Sequence, residues 1–432
     1  MAAMAARAAD REHAKTGARP ESNSGAHASA IAGSPHMQRA VELTDQVVKT
    51  FRRAKVFHLN SGSNSGGGAP DKKSVEGKEQ GGIHVHEWNR VESIDFHLSE
   101  PYMVAATTDH AIQLYDTREG VLKQTLYSTK YGVSSIQFTH HPHAVVYTSS
   151  KNAEDARSSV FRADELHAIR YHSLYDNTYI RYFKGHSSRV LNLSMSHVSD
   201  IFLSASVDRS LKLWDLREAT PRQTLQVSSS HPCVAIDKQN ACFAVGKETG
   251  DIALYDLRKF SDGSTVDGTP FEKISVVKDL VFSSDAEAIR HMSFSRDGNW
   301  LVCIKGNRIF MSDVNPMNLQ KRGGAQAGDG AGWAHIQGAT DDGRGFEPSF
   351  SPDGRYVVSG HEDNSVRVYR VETGERVSTW SGHVRAPTCA KWAPRNLLVA
   401  TGCYNLALWV PDLDLANLNV TAASAPKQEP RN

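Results

Sequence analysis

The chain has 432 residues, of which 49 are lysine or arginine and 48 are aspartate or glutamate. The net charge of +1 disfavours a general binder of nucleic acids or anionic membranes, because such proteins need an excess of cations on one face. No uncharged apolar run is long enough for a transmembrane helix, and no pair among the five cysteines has the C-x-x-C spacing of common zinc and redox motifs. Few, scattered thiols suit a reducing cytosol or nucleus.

Several polar segments are predicted to lie outside any packed domain. Residues 1–42 are rich in Ala, Gly, Ser and Arg without an apolar period, which indicates a disordered N-terminal tail. Its basic residues also resemble a mitochondrial transit peptide, but Asp10, Glu12 and Glu21 argue against that interpretation. Residues 416–432 are predicted to be a second tail. Flexible inserts are predicted near 61–86, 152–166, 258–286 and 316–343.

Two short elements are predicted between the N-terminal tail and the first insert. Thr44 can cap a short helix, and Val47, Val48 and Phe51 share one face of it. This helix either packs on the rim of the domain or serves as a docking element for a partner. Residues 54–60 (AKVFHLN) form a strand that has no partner nearby in the sequence.

The rest of the chain repeats a strand that ends in an aromatic residue, usually followed by Asp. The copies are AIQLYD, HSLYD, LKLWD, IALYD, VRVY and LALW, and IFMSD carries serine in the aromatic position. Most copies have apolar residues at every second place, which is typical of half-buried strands. Two further strands precede each copy and one follows it, so the repeating unit has four strands.

This repeat predicts an all-β, seven-bladed β-propeller over residues 43–415. Three intervals between successive copies are close to about 40 residues, the period of a four-stranded blade, and the longer intervals contain inserts. The last blade has only three strands of its own. Residues 54–60 are therefore predicted to close the ring as the outer strand of blade seven, since an open ring would leave unpaired edges.

Blade three contains His186, Ser204, Asp208 and Trp214 in the pattern of WD-repeat proteins, in which such residues form a buried hydrogen-bonded tetrad. Inner strands are covered on both faces, so their polar groups must pair with one another. A His-Ser-Asp catalytic triad is disfavoured, because a nucleophile needs an exposed Oγ beside an oxyanion hole. In blade seven Cys403 occupies the place of the Asp.

No motif supports catalysis or a cofactor. His140, His141 and His143 could hold a metal, but a turn around Pro142 is the better interpretation, because no Cys or carboxylate lies at ligand spacing. A propeller enzyme would need carboxylates or histidines that converge on the central channel, and the sequence shows no such set. We therefore predict a protein that is not an enzyme, with no metal site and no cofactor.

Long stretches resemble one family of WD-repeat proteins, namely residues 43–57, 125–150, 174–217 and 397–414. This family is the Swd-two type subunit shared by COMPASS-type histone lysine methyltransferase complexes and by nuclear protein-phosphatase-1 and cleavage/polyadenylation complexes. The resemblance implies a non-catalytic nuclear scaffold in histone methylation, transcription termination and RNA 3′-end processing. Its expected partners are a SET-domain methyltransferase or a phosphatase-targeting subunit, with the phosphorylated tail of RNA polymerase II as a further candidate. Neither direct nucleic-acid binding nor membrane binding is expected.

Residues that match this family without being required by the blade pattern are predicted to contact a larger subunit: Lys130, Tyr131, Tyr179, Arg181 and Tyr182. The alternative interpretation is that they pack between blades one to three. A substrate receptor of a ubiquitin ligase remains the alternative function, since WD propellers are often used in that way. The sequence leaves open which complex the chain joins and which face of the propeller binds.

Overall fold

The computed structural model describes residues 42–59, 89–151, 163–248, 250, 252–261, 288–305, 308–314, 333–337 and 346–414. Apart from Glu42, the two predicted tails lie outside the described residues. The predicted insert near 61–86 and most of the other three inserts lie outside them as well.

The described part of the chain is an all-β propeller of seven antiparallel sheets, each of which forms one blade. A short helix, α1 (Asp45–Lys49), and the strand β1 (Phe51–His58) precede the first blade. Blades one to three follow in chain order, with the strands β2 (Val91–Phe96), β3 (Tyr102–Thr107), β4 (Ala111–Asp116), β5 (Val121–Tyr127), β6 (Ile136–Phe138), β7 (Ala144–Tyr147), β8 (Ile169–Ser173), β9 (Thr178–Phe183), β10 (Val190–Met195), β11 (Ile201–Ser206), β12 (Ser210–Asp215) and β13 (Gln223–Gln226).

Blades four to seven continue the same order from the inner strand to the outer strand. Their strands are β14 (Cys233–Ile236), β15 (Cys242–Gly246), β16 (Ile252–Asp256), β17 (Ile289–Phe294), β18 (Trp300–Lys305), β19 (Arg308–Asp313), β20 (Trp333–Gln337), β21 (Ser349–Phe350), β22 (Tyr356–Gly360), β23 (Ser365–Arg370), β24 (Arg376–Ser381), β25 (Cys389–Trp392), β26 (Val399–Gly402) and β27 (Asn405–Pro411). Blade four has three strands within the described ranges. Two more short helices are α2 (Ala163–Leu166) and α3 (Leu257–Ser261).

The predicted closure of the ring is confirmed. β1 pairs antiparallel with β27, from Phe51 opposite Pro411 to His58 opposite Asn405, and becomes the outer strand of blade seven. The strand begins at Phe51, three positions before the predicted range 54–60. A strand from the start of the chain thus completes a blade made by its end, which removes the open edge.

The short helix packs on the rim of the propeller. Thr44 caps it by accepting a hydrogen bond from the Val47 backbone N–H at 3.4 Å, and Val47 and Val48 are buried against blades six and seven. Phe51 was expected on the same helical face, but it begins β1 instead and stacks on Trp380 with ring centroids 4.9 Å apart. In the described part of the chain, no helix is both long and apolar enough to cross a membrane.

Regular structure occurs inside three of the segments predicted as inserts. α2 falls within the insert near 152–166, and α3 occupies the start of the one near 258–286. β20, within 316–343, pairs with β19 as the outer strand of blade five. The insert near 316–343 was therefore predicted too long. Glycine-rich sequence on both sides of WAHIQ obscures this five-residue strand.

The hydrophobic core is divided among the interfaces between neighbouring blades. The cluster between blades two and three, for example, combines Val146 and Phe183 of one blade with Val190, Phe202 and Trp214 of the next. Each blade is therefore clamped on both faces by its neighbours, which makes the ring a rigid support for surface residues.

Candidate interaction surface, tetrads and central channel

The structure brings the four residues of the predicted tetrad of blade three together. His186 Nε2 lies 2.6 Å from Ser204 Oγ, and the same Oγ accepts a hydrogen bond of 2.8 Å from Trp214 Nε1. His186 Nδ1 lies 2.9 Å from Asp208 Oδ2. Ser204 and Trp214 are fully buried, so the serine hydroxyl has no access to a substrate. The arrangement suits a structural network and not a nucleophile.

Ser210 is a fifth member of this network that sequence reasoning missed. Its hydroxyl donates to Asp208 Oδ1 at 2.6 Å, and its backbone N–H donates to the same oxygen at 3.0 Å. Burial alone would raise the pKa of Asp208, but hydrogen bonds from His186, Ser210 and the Ser187 backbone hold this pKa below its usual range. The spacing D-x-S, which recurs at Asp363, was the available signal.

Blade seven contains the same network with a thiol in place of the carboxylate. His383 Nε2 lies 2.6 Å from Thr401 Oγ1, which accepts a hydrogen bond of 2.7 Å from Trp409 Nε1. His383 Nδ1 lies 3.1 Å from Cys403 Sγ. Burial, with a smaller contribution from Arg53, lowers the pKa of His383 to about 4, so the imidazole is neutral at physiological pH.

Three of the predicted contact residues form a tyrosine cluster (Tyr131, Tyr179 and Tyr182). The ring centroid of Tyr131 lies 6.2 Å from that of Tyr179 and 6.4 Å from that of Tyr182, and the last two are 5.2 Å apart. A bulge in β9 explains why side chains three positions apart share one face: His172 pairs with Tyr179, whereas Tyr171 pairs with Arg181. Ile180 is the extra residue.

Two cations brace the tyrosine cluster. Lys130 Nζ lies 4.8 Å from the ring centroid of Tyr131, and the guanidinium carbon of Arg170 lies 3.7 Å from the same centroid. Arg170 is completely buried and donates to the backbone carbonyls of Ala168 and Glu165 at 2.7 Å each. Burial lowers its pKa. Arg170 was missed by sequence reasoning, although an arginine in the middle of a buried strand is unusual enough to be a signal.

Arg181 does not join the cluster. It lies on the opposite face of β9 and donates to the Leu216 carbonyl of blade three, so it packs between blades. The exposed part of the predicted surface is the β8–β9 hairpin of blade two, where Tyr175, Tyr179 and Ile180 are 84%, 37% and 48% exposed. β9 is also the edge strand of its sheet.

The three histidines after β6 are dispersed. His140 Nδ1 lies 3.0 Å from Asp200 Oδ1, whereas His141 and His143 form a ring contact with centroids 6.1 Å apart. Within the described ranges, no three His, Cys, Asp or Glu side chains lie close enough together to hold a metal ion.

The expectation that no carboxylates or histidines converge on the central channel is wrong, since Asp95, His197 and Glu347 line it. Its wall contains Lys391, which forms an ion pair of 3.4 Å with Asp95, and Lys238, whose Nζ lies 2.8 Å from His197 Nε2. Glu347 lies deeper in the channel, and burial raises its pKa to about 7. These residues come from blades one, three, four, six and seven, so only the closed ring brings them together.

Channel-facing polar side chains also join the blades to one another. Asp95 Oδ2 of blade one accepts a hydrogen bond from the Phe138 backbone N–H of blade two at 2.9 Å. Gln137, Ser194 and Ser349 accept backbone N–H groups of the next blade in the same way, at 2.7, 2.9 and 3.2 Å. The Lys391–Asp95 ion pair crosses the seam between blades seven and one.

Comparison with known proteins identifies the repeats. The family model "WD domain, G-beta repeat" matches residues 177–215 and 348–370, and the first match runs from β9 to β12. WD repeat-containing protein 82 of Drosophila melanogaster is 31% identical over 373 residues, which cover 86% of this chain and 98% of the relative. Protein ANTHESIS POMOTING FACTOR 1 of Arabidopsis thaliana is 30% identical over 343 residues, or 79% of this chain and 93% of the relative. COMPASS component SWD2 of Saccharomyces cerevisiae is 29% identical over 282 residues, or 65% and 75%.

Proposed function

Because the chain belongs to the WD-repeat family of WD repeat-containing protein 82 and the SWD2-type subunits, we propose that it is a non-catalytic scaffold subunit of a nuclear complex. One relative is named as a component of COMPASS, and we extend that role to this chain. In this proposal the propeller binds a segment of a larger subunit, a SET-domain methyltransferase. A phosphatase-targeting subunit, with roles in transcription termination and RNA 3′-end processing, is the further candidate that the family resemblance suggests, together with the phosphorylated RNA polymerase II tail.

The β8–β9 hairpin of blade two is the observation that supports this proposal. Tyr175, Tyr179 and Ile180 expose large apolar surface on a rigid sheet, and exposed apolar surface of this kind marks protein interfaces. Tyrosine and isoleucine beside an unpaired sheet edge suit an extended peptide, which can pair its backbone with β9 and place apolar side chains on the tyrosines.

Buried neighbours of Tyr179 hold this surface in place. The Tyr147 hydroxyl donates to Ser128 Oγ at 3.0 Å and lies 3.3 Å from the Tyr179 hydroxyl, while Arg170 stacks on Tyr131. Side chains that are fixed before binding lose little conformational entropy when a partner arrives. These buried neighbours therefore act by positioning Tyr179, and Tyr179 and Ile180 contact the partner.

A tagged chain purified from nuclei tests the proposal. We expect a SET-domain protein or a phosphatase catalytic subunit to copurify with the wild type. Tyr179→Ala combined with Ile180→Ala should lower recovery of the large partner by about 10-fold or more, since buried tyrosines at interfaces commonly contribute on the order of 2 kcal/mol. Val198→Ala is the matched control, because Val198 is 66% exposed but lies on blade three.

Two outcomes would contradict the proposal. Undiminished recovery with the double variant would remove the hairpin as the contact surface. Recovery of a ubiquitin-ligase adaptor alone, without a methyltransferase or phosphatase subunit, would replace the scaffold role by that of a ligase substrate receptor. An unchanged denaturation midpoint of the double variant would show that any lost binding is not caused by unfolding.

A further inference from the structure

A cavity lies at one end of the central channel. Its volume is about 140 Å³, it opens to solvent, and all seven blades contribute to its wall. The residues that decide what it can bind are Asp95, Ser194, His197, Lys238, Arg296 and Lys391.

Cations outnumber carboxylates in this cavity. Lys238, Arg296 and Lys391 line it, and Asp95 is the one acidic side chain in its wall among the described residues. Both oxygens of Asp95 are occupied, since Oδ1 pairs with Lys391 at 3.4 Å and Oδ2 accepts the Phe138 backbone N–H at 2.9 Å. The wall therefore keeps an excess of positive charge that its own carboxylate does not balance.

The ammonium group of Lys238 is the hydrogen-bond donor in this wall that is available to a ligand. It forms no ion pair with any described residue, and its Nζ lies 2.8 Å from His197 Nε2. Burial, followed by the charge of Lys391, lowers the pKa of Lys238 to about 8, and burial together with these cations lowers the pKa of His197 to about 2. The neutral imidazole accepts one ammonium proton, and two remain to be donated.

Serine hydroxyls add neutral donors. Ser194 Oγ accepts the Ile236 backbone N–H at 2.9 Å, which leaves the hydroxyl proton free to point into the channel. Ammonium groups and hydroxyls that face one space are the donor set that oxyanions require, whereas a cationic ligand would meet repulsion from both lysines.

We propose that this cavity binds the phosphate group of a small phosphorylated molecule, held between Lys238 and Lys391 with Arg296 at the rim. The two lysines belong to different blades, and a phosphate dianion has enough oxygens to accept from both, while a carboxylate has two oxygens and one charge. Leu98, Phe138 and Pro352 form apolar wall beside the cations and suit the organic part of the ligand.

Calorimetric titration with phenyl phosphate at constant ionic strength tests the assignment, because this probe combines a phosphate with an apolar group. We expect binding to the wild type, a loss of at least about 10-fold in affinity for Lys238→Met, and a smaller loss for Arg296→Gln, as for a charge-assisted hydrogen bond. Lys184→Met, at an exposed lysine outside the channel, is the matched control and should bind like the wild type. Absence of binding to the wild type, or equal binding by Lys238→Met, would overturn the proposal.

Titration with benzoate, which carries a carboxylate in place of the phosphate, distinguishes recognition of phosphate from recognition of carboxylate. Benzoate binding as tight as that of phenyl phosphate would show that the cavity takes acidic groups of any kind, as on a peptide side chain, and would overturn the phosphate assignment. Much weaker benzoate binding supports it.

A second measurement uses the unaltered chain, so it holds even if the Lys238 variant does not fold. The aldehyde of pyridoxal phosphate condenses with a lysine amine to an imine with loss of water, and borohydride reduces that imine to a stable amine. Mass spectrometry should find Lys238 labelled first, and phenyl phosphate should protect it. If the extent of Lys238 labelling is the same with and without phenyl phosphate, the proposal is contradicted.

Discussion

Replacing Asp208 by alanine is the sharpest test of how the blades are held together. The Asp208 carboxylate receives the Ser210 hydroxyl at 2.6 Å, the Ser187 backbone N–H at 2.9 Å and the Ser210 backbone N–H at 3.0 Å, and it lies 2.9 Å from His186 Nδ1. Its side chain is 9% exposed, so water reaches few of the groups that would lose their partner. Loss of such a networked carboxylate should cost on the order of 2–4 kcal/mol.

The assay is urea denaturation of the wild type and of Asp208→Ala at neutral and acidic pH. Because the folded-state pKa of Asp208 is below its ordinary value, its contribution is present above the unfolded-state pKa and is lost as the pH falls through the folded-state pKa. The difference between the two proteins should thus be largest at neutral pH and shrink under strongly acidic conditions. Asp200→Ala is the control, since that carboxylate is 49% exposed and should cost about 0.5 kcal/mol or less. Equal denaturation midpoints at neutral pH for Asp208→Ala and the wild type would refute the structural role of the tetrad.

Three further predictions concern the seam, the thiol network and the channel. Phe51→Ala should destabilise the fold by about 3–5 kcal/mol, because Phe51 is buried against Trp380. Limited proteolysis should then cleave near β1 first, and an unaltered cleavage pattern would contradict this. Cys403→Asp should raise the pKa of His383 from about 4, since a carboxylate would replace the thiol. An NMR titration that shows no upward shift would exclude their direct contact. Glu347→Gln should gain stability relative to the wild type as the pH rises toward 7. The folded-state pKa of Glu347 lies above its ordinary value, so ionisation of this residue opposes folding in that interval. The same difference in denaturation midpoint between variant and wild type at pH 5 and at pH 7.5 would contradict this.

Features that repeat along the chain were predictable from the sequence. The period-two strands, the count of blades and the closing strand depend on patterns within a few residues or on simple pairing logic, and the pairing of β1 with β27 follows from a blade that lacks its outer strand. The place of Cys403 in blade seven was also identifiable, because the tetrad residues keep a fixed spacing from the aromatic strand.

Features that depend on the closed ring were not predictable in the same way. In the central channel, the ion pair between Asp95 and Lys391 crosses the seam between the first and last blades. The proximity of these two residues depends on the register of all seven inner strands. A weak signal existed, since a polar residue precedes the final apolar residue of most inner strands, as at Gln137, Ser194 and Ser349. The bulge at Ile180, which places Tyr179 and Arg181 on opposite faces of β9, left no signal of comparable strength.

Arg170 links the stability of blade two to its proposed surface. No carboxylate among the described residues pairs with the buried guanidinium of Arg170. A buried charge without such a partner is costly, and apolar replacements of buried charges are often neutral or stabilising. Arg170 instead uses two backbone carbonyls and the face of Tyr131, which also contacts the partly exposed Tyr179 and Tyr182. An apolar side chain could fill the same space, but it could neither bond to both carbonyls nor fix the tyrosine ring by a cation–π contact. The position is thus better suited to holding an aromatic surface in one orientation than to maximising the stability of the blade, which agrees with the proposed role of this surface in binding a partner.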